Sequence, residues 1–280
     1  MKLAHLILAH NHPAQLERLV KRLCHNDADV YIHLDLKTDI ALYEQIKRLP
    51  NTYFIKKRIN VVWCEYSTIL ATTNAMGEIL ATGITYSHIN LLSGNDYPLQ
   101  SQEHIQQFLF GNNQKTFIWY NLIFDEWIHG QARVNTYYFG DYGFPGRYQV
   151  GTIINKVLSA RKVPNKLVPY GRSQWLTITP ECVAYVIRYI KDNPTAERFF
   201  KMTWAVDEIF FQTILCNSSL RDTLVNDNLR YIALQPDFRP VTYTIADAHT
   251  LEASGKFYAR KFDMNKDAAI LDYLDSRSGL

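Results

Sequence analysis

The 280-residue chain reads as an α/β protein with a mostly parallel sheet and helices on both faces. Two observations predict this. Apolar runs of strand length alternate with segments of helical period through the first half, the pattern of parallel strands joined by crossover helices. A hydrophobic content of 47% against 20% charged residues is enough to bury a sizeable core.

KLAHLILAH, residues 2–10, is an apolar strand, and PAQLERLVKRLC places Leu16, Leu19, Val20 and Leu23 on one helical face. DVYIHLD is the second strand and IALYEQIKRL a short helix. TYFIKK and INVVW are strand-like, and STILATTNAMGEILAT is a helix with Ser67 placed to cap it. YSHINLLSG is a further strand that runs into the turn SGNDYPL. The middle, about Phe117 to Pro169, is rich in aromatic, glycine and basic residues and reads as a long irregular region. Such a region is a substrate wall, a lid or a plain surface loop. SQWLTIT is a strand, and the helix after it starts at Pro180 with Thr179 as its cap. TWAVDEIFFQTIL then reads as an amphipathic helix opened by two acids. The tail, Arg239 to Leu280, contains GKFYARKFD and ends in a polar helix-like segment. No internal repeat or low-complexity linker interrupts the chain.

A net charge of +3 with no long Lys/Arg-rich run argues against a nucleic-acid partner. Cys24, Cys64, Cys182 and Cys216 are scattered without metal-ligand spacing, as buried thiols of a reducing compartment are. The first apolar stretch is too short to span a bilayer and no cleavage site follows it, so the expected location is cytoplasmic. Neither a Gly-x-Gly-x-x-Gly nor a Walker lysine loop occurs.

In open α/β sheets, ligands bind beyond the carboxyl ends of the strands. That rule selects His10 and Asn11, Asp35 and Lys37, Trp63 to Tyr66, and Asn95 with Asp96. Each has an ordinary alternative: His10 as a satisfied strand-end histidine, Asp35 as a cap, Asp96 as turn chemistry. Asp207 and Glu208 are either an exposed helix start favoured by the helix dipole or acids held in a pocket that move protons. The apolar TWAV before them and Phe210, Phe211, Ile214 and Leu215 after them point to a buried setting.

Seven segments, LAHNHPAQLERLV, DVYIHLDLK, NVVWCEYS, INLLSGNDYPL, GRSQWLTIT, VDEIFFQTIL and FYARKFD, occur in the order found in the core-2/I-branching glycosyltransferases. The chain resembles that family, the β-1,6-N-acetylglucosaminyltransferases and their peptide O-xylosyltransferase relatives, over nearly its whole length. The resemblance implies one GT-A domain over residues 1–280, with a nucleotide-binding half (1–110) and an acceptor-binding and catalytic half (111–280). It implies a UDP-sugar donor, a glycan or glycoconjugate acceptor, inversion at the anomeric carbon, and no metal or other cofactor. The only Asp-x-Asp, Asp27 to Asp29, precedes the second strand, at the wrong end of the sheet for the ligand crevice.

By the same resemblance, Glu208 is the general base and Asp207 its neighbour. Arg239 and Lys261, with Arg260 as rival to Lys261, hold the diphosphate and stabilise charge on leaving UDP. Ala205-Val206 stands where many relatives have a Ser-Pro or similar turn. Leu8, His10 and Asp35 match positions at uracil and ribose, Trp63 stacks on nucleotide or sugar, and Asp96 holds donor hydroxyls. Acceptor contacts fall in the middle region, Trp119 to Tyr148, and on Arg230 and Tyr231. The expected donor sugar is GlcNAc, with UDP-xylose as the alternative and a catalytically silent sugar-nucleotide or glycan-binding domain as the other. The trimmed chain looks like a bacterial form that builds surface polysaccharide, with at most peripheral membrane association.

Overall fold

The computed structural model describes residues 1–277. It falls into two compact units, each assembled from separate stretches of chain. The first takes residues 1–56, 83–114 and Leu229 onward; the second takes 57–82 and 115–228. Among the described residues the strands, in chain order, are β1 (Lys2–Ala9), β2 (Ala28–Leu34), β3 (Thr52–Phe54), β4 (Tyr86–Ser93), β5 (Asp96–Pro98), β6 (Thr116–Leu122), β7 (Tyr170–Ile178), β8 (Leu224–Val225), β9 (Arg230–Ile232) and β10 (Tyr258–Arg260).

The first unit is built on four parallel strands in the order β3-β2-β1-β4. Leu6, Ile7, Ile32, Leu91 and Leu92 are completely buried, which explains why these strands read as continuous apolar runs instead of alternating ones. The helix Pro13–Leu23 buries Leu16, Leu19, Val20 and Leu23, as its spacing predicts. Two backbone bonds organise the carboxyl ends: Asp35 N donates to Ala9 O (2.9 Å) and Gly94 N to Leu8 O (3.2 Å). The loops after β2 and β4 therefore both hang on the end of β1. A small second sheet pairs β5 antiparallel and β9 parallel to β10.

In the second unit β6 pairs antiparallel with β7 and parallel with β8. The helices Tyr66–Leu80, Pro180–Asp192, Pro194–Lys201 and Phe210–Cys216 surround an aromatic core. In that core the Phe210 ring lies 5.0 Å from Phe200 and 6.2 Å from Tyr66. Thr179 caps its helix, its side chain accepting from Cys182 N at 3.4 Å.

Several local expectations are corrected. IALYEQIKRL forms two 3₁₀ turns, Ile40–Tyr43 and Ile46–Arg48, because the Asp39 carboxylate accepts from Ala41 N (2.9 Å) and closes the first turn tightly. INVVW is not a strand: Val62 N donates to Ser67 Oγ (2.9 Å) and Val62 O accepts from Glu65 N (3.2 Å), which folds the segment into a turn. Ser67 accordingly lies inside its helix, and the cap position belongs to Glu65. The middle region is not irregular throughout, since it contributes β6 and the helix Arg147–Val157. The tail helix is Ala269–Arg277, and residues 278–280 of that expectation lie outside the described residues. Among the described residues no helix is long and apolar enough to cross a membrane.

Candidate active site

Asp207 and Glu208 do not open an α-helix. They sit in the 3₁₀ turn Val206–Glu208, and the helix Phe210–Cys216 begins only after Ile209. The chain enters this turn through Ala205 in the left-handed conformation (φ 48, ψ 44), held by a bond from Ala205 N to Cys64 O (2.6 Å). A non-glycine residue in that region costs about 1–2 kcal/mol, and the completely buried Val206 and Phe210 that follow hold it there. On the opposite side β7 supplies Gly171. A Cβ there would stand 2.7 Å from Glu208 O, 2.7 Å from Trp127 Cζ3 and 2.5 Å from Ile209 Cγ2, so only glycine lets the strand pass this close.

The two acids differ in setting. Asp207 Oδ1 is shielded from solvent and has no hydrogen-bond partner. Burial, and then the neighbouring Glu208 charge, push the Asp207 carboxyl up to about 7. Glu208 forms an ion pair with Arg133, and a third of its side chain is open to solvent. Burial and then the charge of Asp141 likewise push the Glu65 carboxyl up to about 7, with Asp207 adding to the effect. Glu65 Oε2 also lacks a partner, and Gly140 leaves Glu65 its space: a Cβ there would overlap Oε1 at 1.8 Å. Asp141 is tied to Ser67, accepting from its N and its Oγ at 2.7 Å each.

Around the acids runs an alternating series of cations and indoles. The Arg133 guanidinium lies 4.7 Å from the Trp127 ring and 5.3 Å from the Trp204 ring. Arg172 continues the series, 5.8 Å from Trp127 and 4.8 Å from Trp119. Trp63 meets Trp204 edge to face at 6.4 Å and is 80% exposed. Each such cation–π contact is worth about 0.5–2 kcal/mol. Trp119 and Trp63 thus stand at the two ends of one stack that includes the partner of Glu208.

The first unit gathers the other expected residues. Leu8 is half-buried at the end of β1, and exposed His10 follows it, its carbonyl accepting from Thr38 Oγ1 at 3.0 Å. Asp35 is buried; its Oδ1 accepts from Lys37 N (2.9 Å), and Lys37 Nζ lies 3.5 Å from its Oδ2. Asp96 is buried and engaged: it accepts from Ser93 N (3.0 Å), Ser93 Oγ (2.8 Å) and Arg260 Nη1 (2.8 Å). Arg260 also bonds Ser93 Oγ.

Lys261 runs beside the 241–243 segment, its N donating to Val241 O (3.2 Å) and its O accepting from Tyr243 N (3.0 Å). Arg239 lies two residues before that segment on an exposed loop tip, paired with Asp237 at 2.6 Å. The fold therefore brings the Arg239 loop next to the Lys261 backbone. Tyr231 is half-buried against Tyr243 at 5.9 Å. Arg230 differs from the acceptor-wall expectation: it is buried, bonds Asn90 and Leu91 O (2.9 Å), and lies 5.3 Å from the Tyr258 ring. Its charge assists burial in pushing His5 down to about 3.

Residues 3–253 match the Core-2/I-Branching enzyme family. The chain belongs to that family. Over 98% of its length it is 26% identical to xylosyltransferase 2 of Rattus norvegicus and 25% identical to that of Homo sapiens, covering 33% of each. It is 24% identical to xylosyltransferase 1 of Homo sapiens over 98% of this chain and 30% of that protein. The chain thus spans about a third of the length of the curated relatives it matches.

Arg133, Arg172, Trp127, Trp204, Glu65 and Gly171 gather around the acid pair, and the sequence reading named none of them singly, although Trp127 and Arg133 lie in the 119–148 region expected to carry acceptor contacts. Glu65 lay within a stretch that the strand-end rule had selected. Two outcomes follow from the geometry. Gly171→Ala should cost about 1–3 kcal/mol by overpacking and displace the Glu208 turn, read as a lowered urea midpoint together with a changed Trp fluorescence. Asp207 and Glu65 keep their protons up to about 7 in the folded chain, against ordinary values of 3.8 and 4.5. Between those limits the folded state binds more protons than the unfolded one, so stability falls as pH rises through this window and levels off above it. Asp207→Asn should therefore raise the urea midpoint relative to wild type near about pH 8 and leave it unchanged near about pH 3.

Proposed function

We propose that this Core-2/I-branching protein transfers a sugar from a UDP-sugar donor to an acceptor hydroxyl with inversion, and that Glu208 is the general base. The observation that carries this is the unequal acid pair. Burial and the neighbouring Glu208 charge push the Asp207 carboxyl up to about 7 and its Oδ1 has no hydrogen-bond partner, whereas Glu208 is half-open and ion-paired with Arg133. As the acceptor oxygen attacks the anomeric carbon, its proton passes to Glu208 and the bond from that carbon to the diphosphate oxygen breaks.

The negative charge that grows on departing UDP is matched by Arg239, Lys261 and Arg260 of the first unit. Arg260 is the best anchored of the three, through Asp96 and Ser93. Leu8, His10 and Asp35 at the carboxyl ends of β1 and β2 are read as the uridine contacts. Asp96, saturated by the turn and Arg260, is read as support for that cation and not as a direct sugar ligand.

Trp63 and Trp119 offer exposed indole faces for sugar or peptide in the second unit. The reaction is read as metal-independent. In the Asp27–Asp29 pair, Asp29 is buried and already accepts from Lys2 Nζ (2.9 Å) and Tyr86 Oη (2.7 Å), which supports a structural role for it. For the donor sugar, the relatives named xylosyltransferase favour UDP-xylose over the GlcNAc expected from the motifs.

Glu208→Gln should retain UDP affinity and lose about 10²–10⁴ of turnover; near-normal transfer by this variant removes Glu208 as the base. Thermal unfolding in excess EDTA with UDP-xylose, UDP-GlcNAc and GDP-, CDP- and dTDP-sugars tests the donor. A ligand at 100 times its Kd adds about 2.7 kcal/mol, a clear rise in Tm. Stabilisation by UDP and one UDP-sugar is the expected result. A shift that needs added manganese or magnesium overturns the metal-free reading.

A further inference from the structure

The helix Arg147–Val157 is mounted with its apolar side outward. Val150, Ile153 and Val157 recur at i, i+3 and i+7 and so form one stripe, and they are 39%, 61% and 75% exposed. The opposite side holds the helix to its unit. Gly151 is buried there, where a Cβ would stand 3.4 Å from Phe139 and 3.6 Å from Tyr137 O. Asn155 clamps the same loop, its Oδ1 accepting from Tyr137 N (2.7 Å) and its Nδ2 donating to Tyr137 O (2.9 Å). An amphipathic helix packed for a protein core would have these two sides exchanged. Tyr148 and Leu158, 64% and 52% exposed, extend the apolar surface beyond both ends of the stripe.

Charge selects the occupant. From Tyr142 to Pro180 the chain contains no Asp or Glu, while Lys156, Lys162 and Lys166 are all exposed. Lys162 emerges close to the helix, because Arg161 N bonds Asn135 O (3.0 Å), two residues from the Tyr137 clamp. Two copies meeting about a two-fold axis through this face would bring like charges together, which disfavours self-association. An apolar stripe bordered by lysines and free of acids is the composition of a helix that lies in the headgroup layer of an anionic membrane.

We propose that the outward face of the Arg147–Val157 helix docks this protein on an anionic lipid bilayer. The loop that clamps the helix, Tyr137 to Asp141, also reaches the acid cluster through Gly140 and approaches Trp204 through Tyr138, at 6.2 Å. Docking would therefore hold the bilayer surface near Glu65 and Trp204 of the second unit. The inference stands on this face alone and does not depend on the transferase reading.

The test is co-sedimentation of the full chain with phosphatidylcholine vesicles, with and without about a third phosphatidylglycerol, at low and high salt. Expected is binding to the anionic vesicles only, weakened by salt. Ile153→Asp with Val157→Asp, and separately Lys156→Glu with Lys162→Glu, should each reduce it about tenfold or more at an unchanged Tm. Equal binding to neutral vesicles, or binding that survives both pairs of substitutions, overturns the proposal. So does a concentration-dependent dimer that is lost in the Asp variant while no vesicle is bound.

Discussion

Two carboxyl groups on neighbouring residues of one tight turn cannot both carry charge cheaply when one of them is shielded from water. The arrangement of the second unit follows from that constraint. Burial and the neighbouring acid raise the Asp207 carboxyl, Glu208 is ion-paired with Arg133, and Arg133 is held there by the flat faces of Trp127 and Trp204. Glycine at 171 lets β7 close on the turn, and glycine at 140 lets Glu65 lie beneath the loop. Left-handed Ala205 sets the angle at which the acids leave the chain. The ordinary preference of acids for the start of an α-helix explains none of this, because no α-helix starts there.

The first unit uses a different device. The loops after β2 and β4 are fastened to the end of β1, and Arg260 lies in the β5-β10 ladder, so these polar groups stand on backbone that is already paired. Asp96 and Ser93 hold the Arg260 fork in place. An anchored guanidinium loses less side-chain entropy on meeting an anion than a free one does. Arg239 is the contrast, an exposed cation whose partner is a carboxylate two residues away. Arg230 is a third kind, an inward cation that completes a buried network with Asn90 and, through it, His5, whose Nδ1 lies 3.0 Å from Asn90 Nδ2. One residue type thus serves three purposes within 31 positions of chain, from Arg230 to Arg260.

Legibility followed the range over which each signal acts. Buried parallel strands announce themselves as apolar runs, and β1, β2 and β4 are close to where composition alone puts them. Thr179 before Pro180 is a local signal and held as a cap. INVVW failed because β-branched residues report a preference but not the presence of a neighbouring strand, and a single bond to Ser67 Oγ prevailed. The Arg147–Val157 helix went unread because its period faces solvent and Gly151 interrupts it, although the apolar spacing was present. The cation–indole series could not be seen at all. Its members come from positions 63, 119, 127, 133, 172 and 204, and only the folded backbone makes them neighbours. The half-buried setting of the acid pair was foreshadowed by the apolar residues on both sides, whereas the ion pair that distinguishes Glu208 depends on Arg133, which lies 75 residues away.

The interleaving of the two units bears on how the molecule comes into being. The first unit needs residues from Leu229 onward to finish its small sheet, since β10 supplies the strand that joins β5 to β9. During synthesis from the amino terminus, the second unit has all its residues by Asn228, while the first still lacks its last third. The nascent chain therefore holds β5 without its partner until β10 has emerged, and a closure across so many residues is of the slow kind. Arg260 and Lys261 join the rest of the first unit only at the end of that process. A ribosome that stops early leaves a product with its acid pair complete and its late-arriving cations missing.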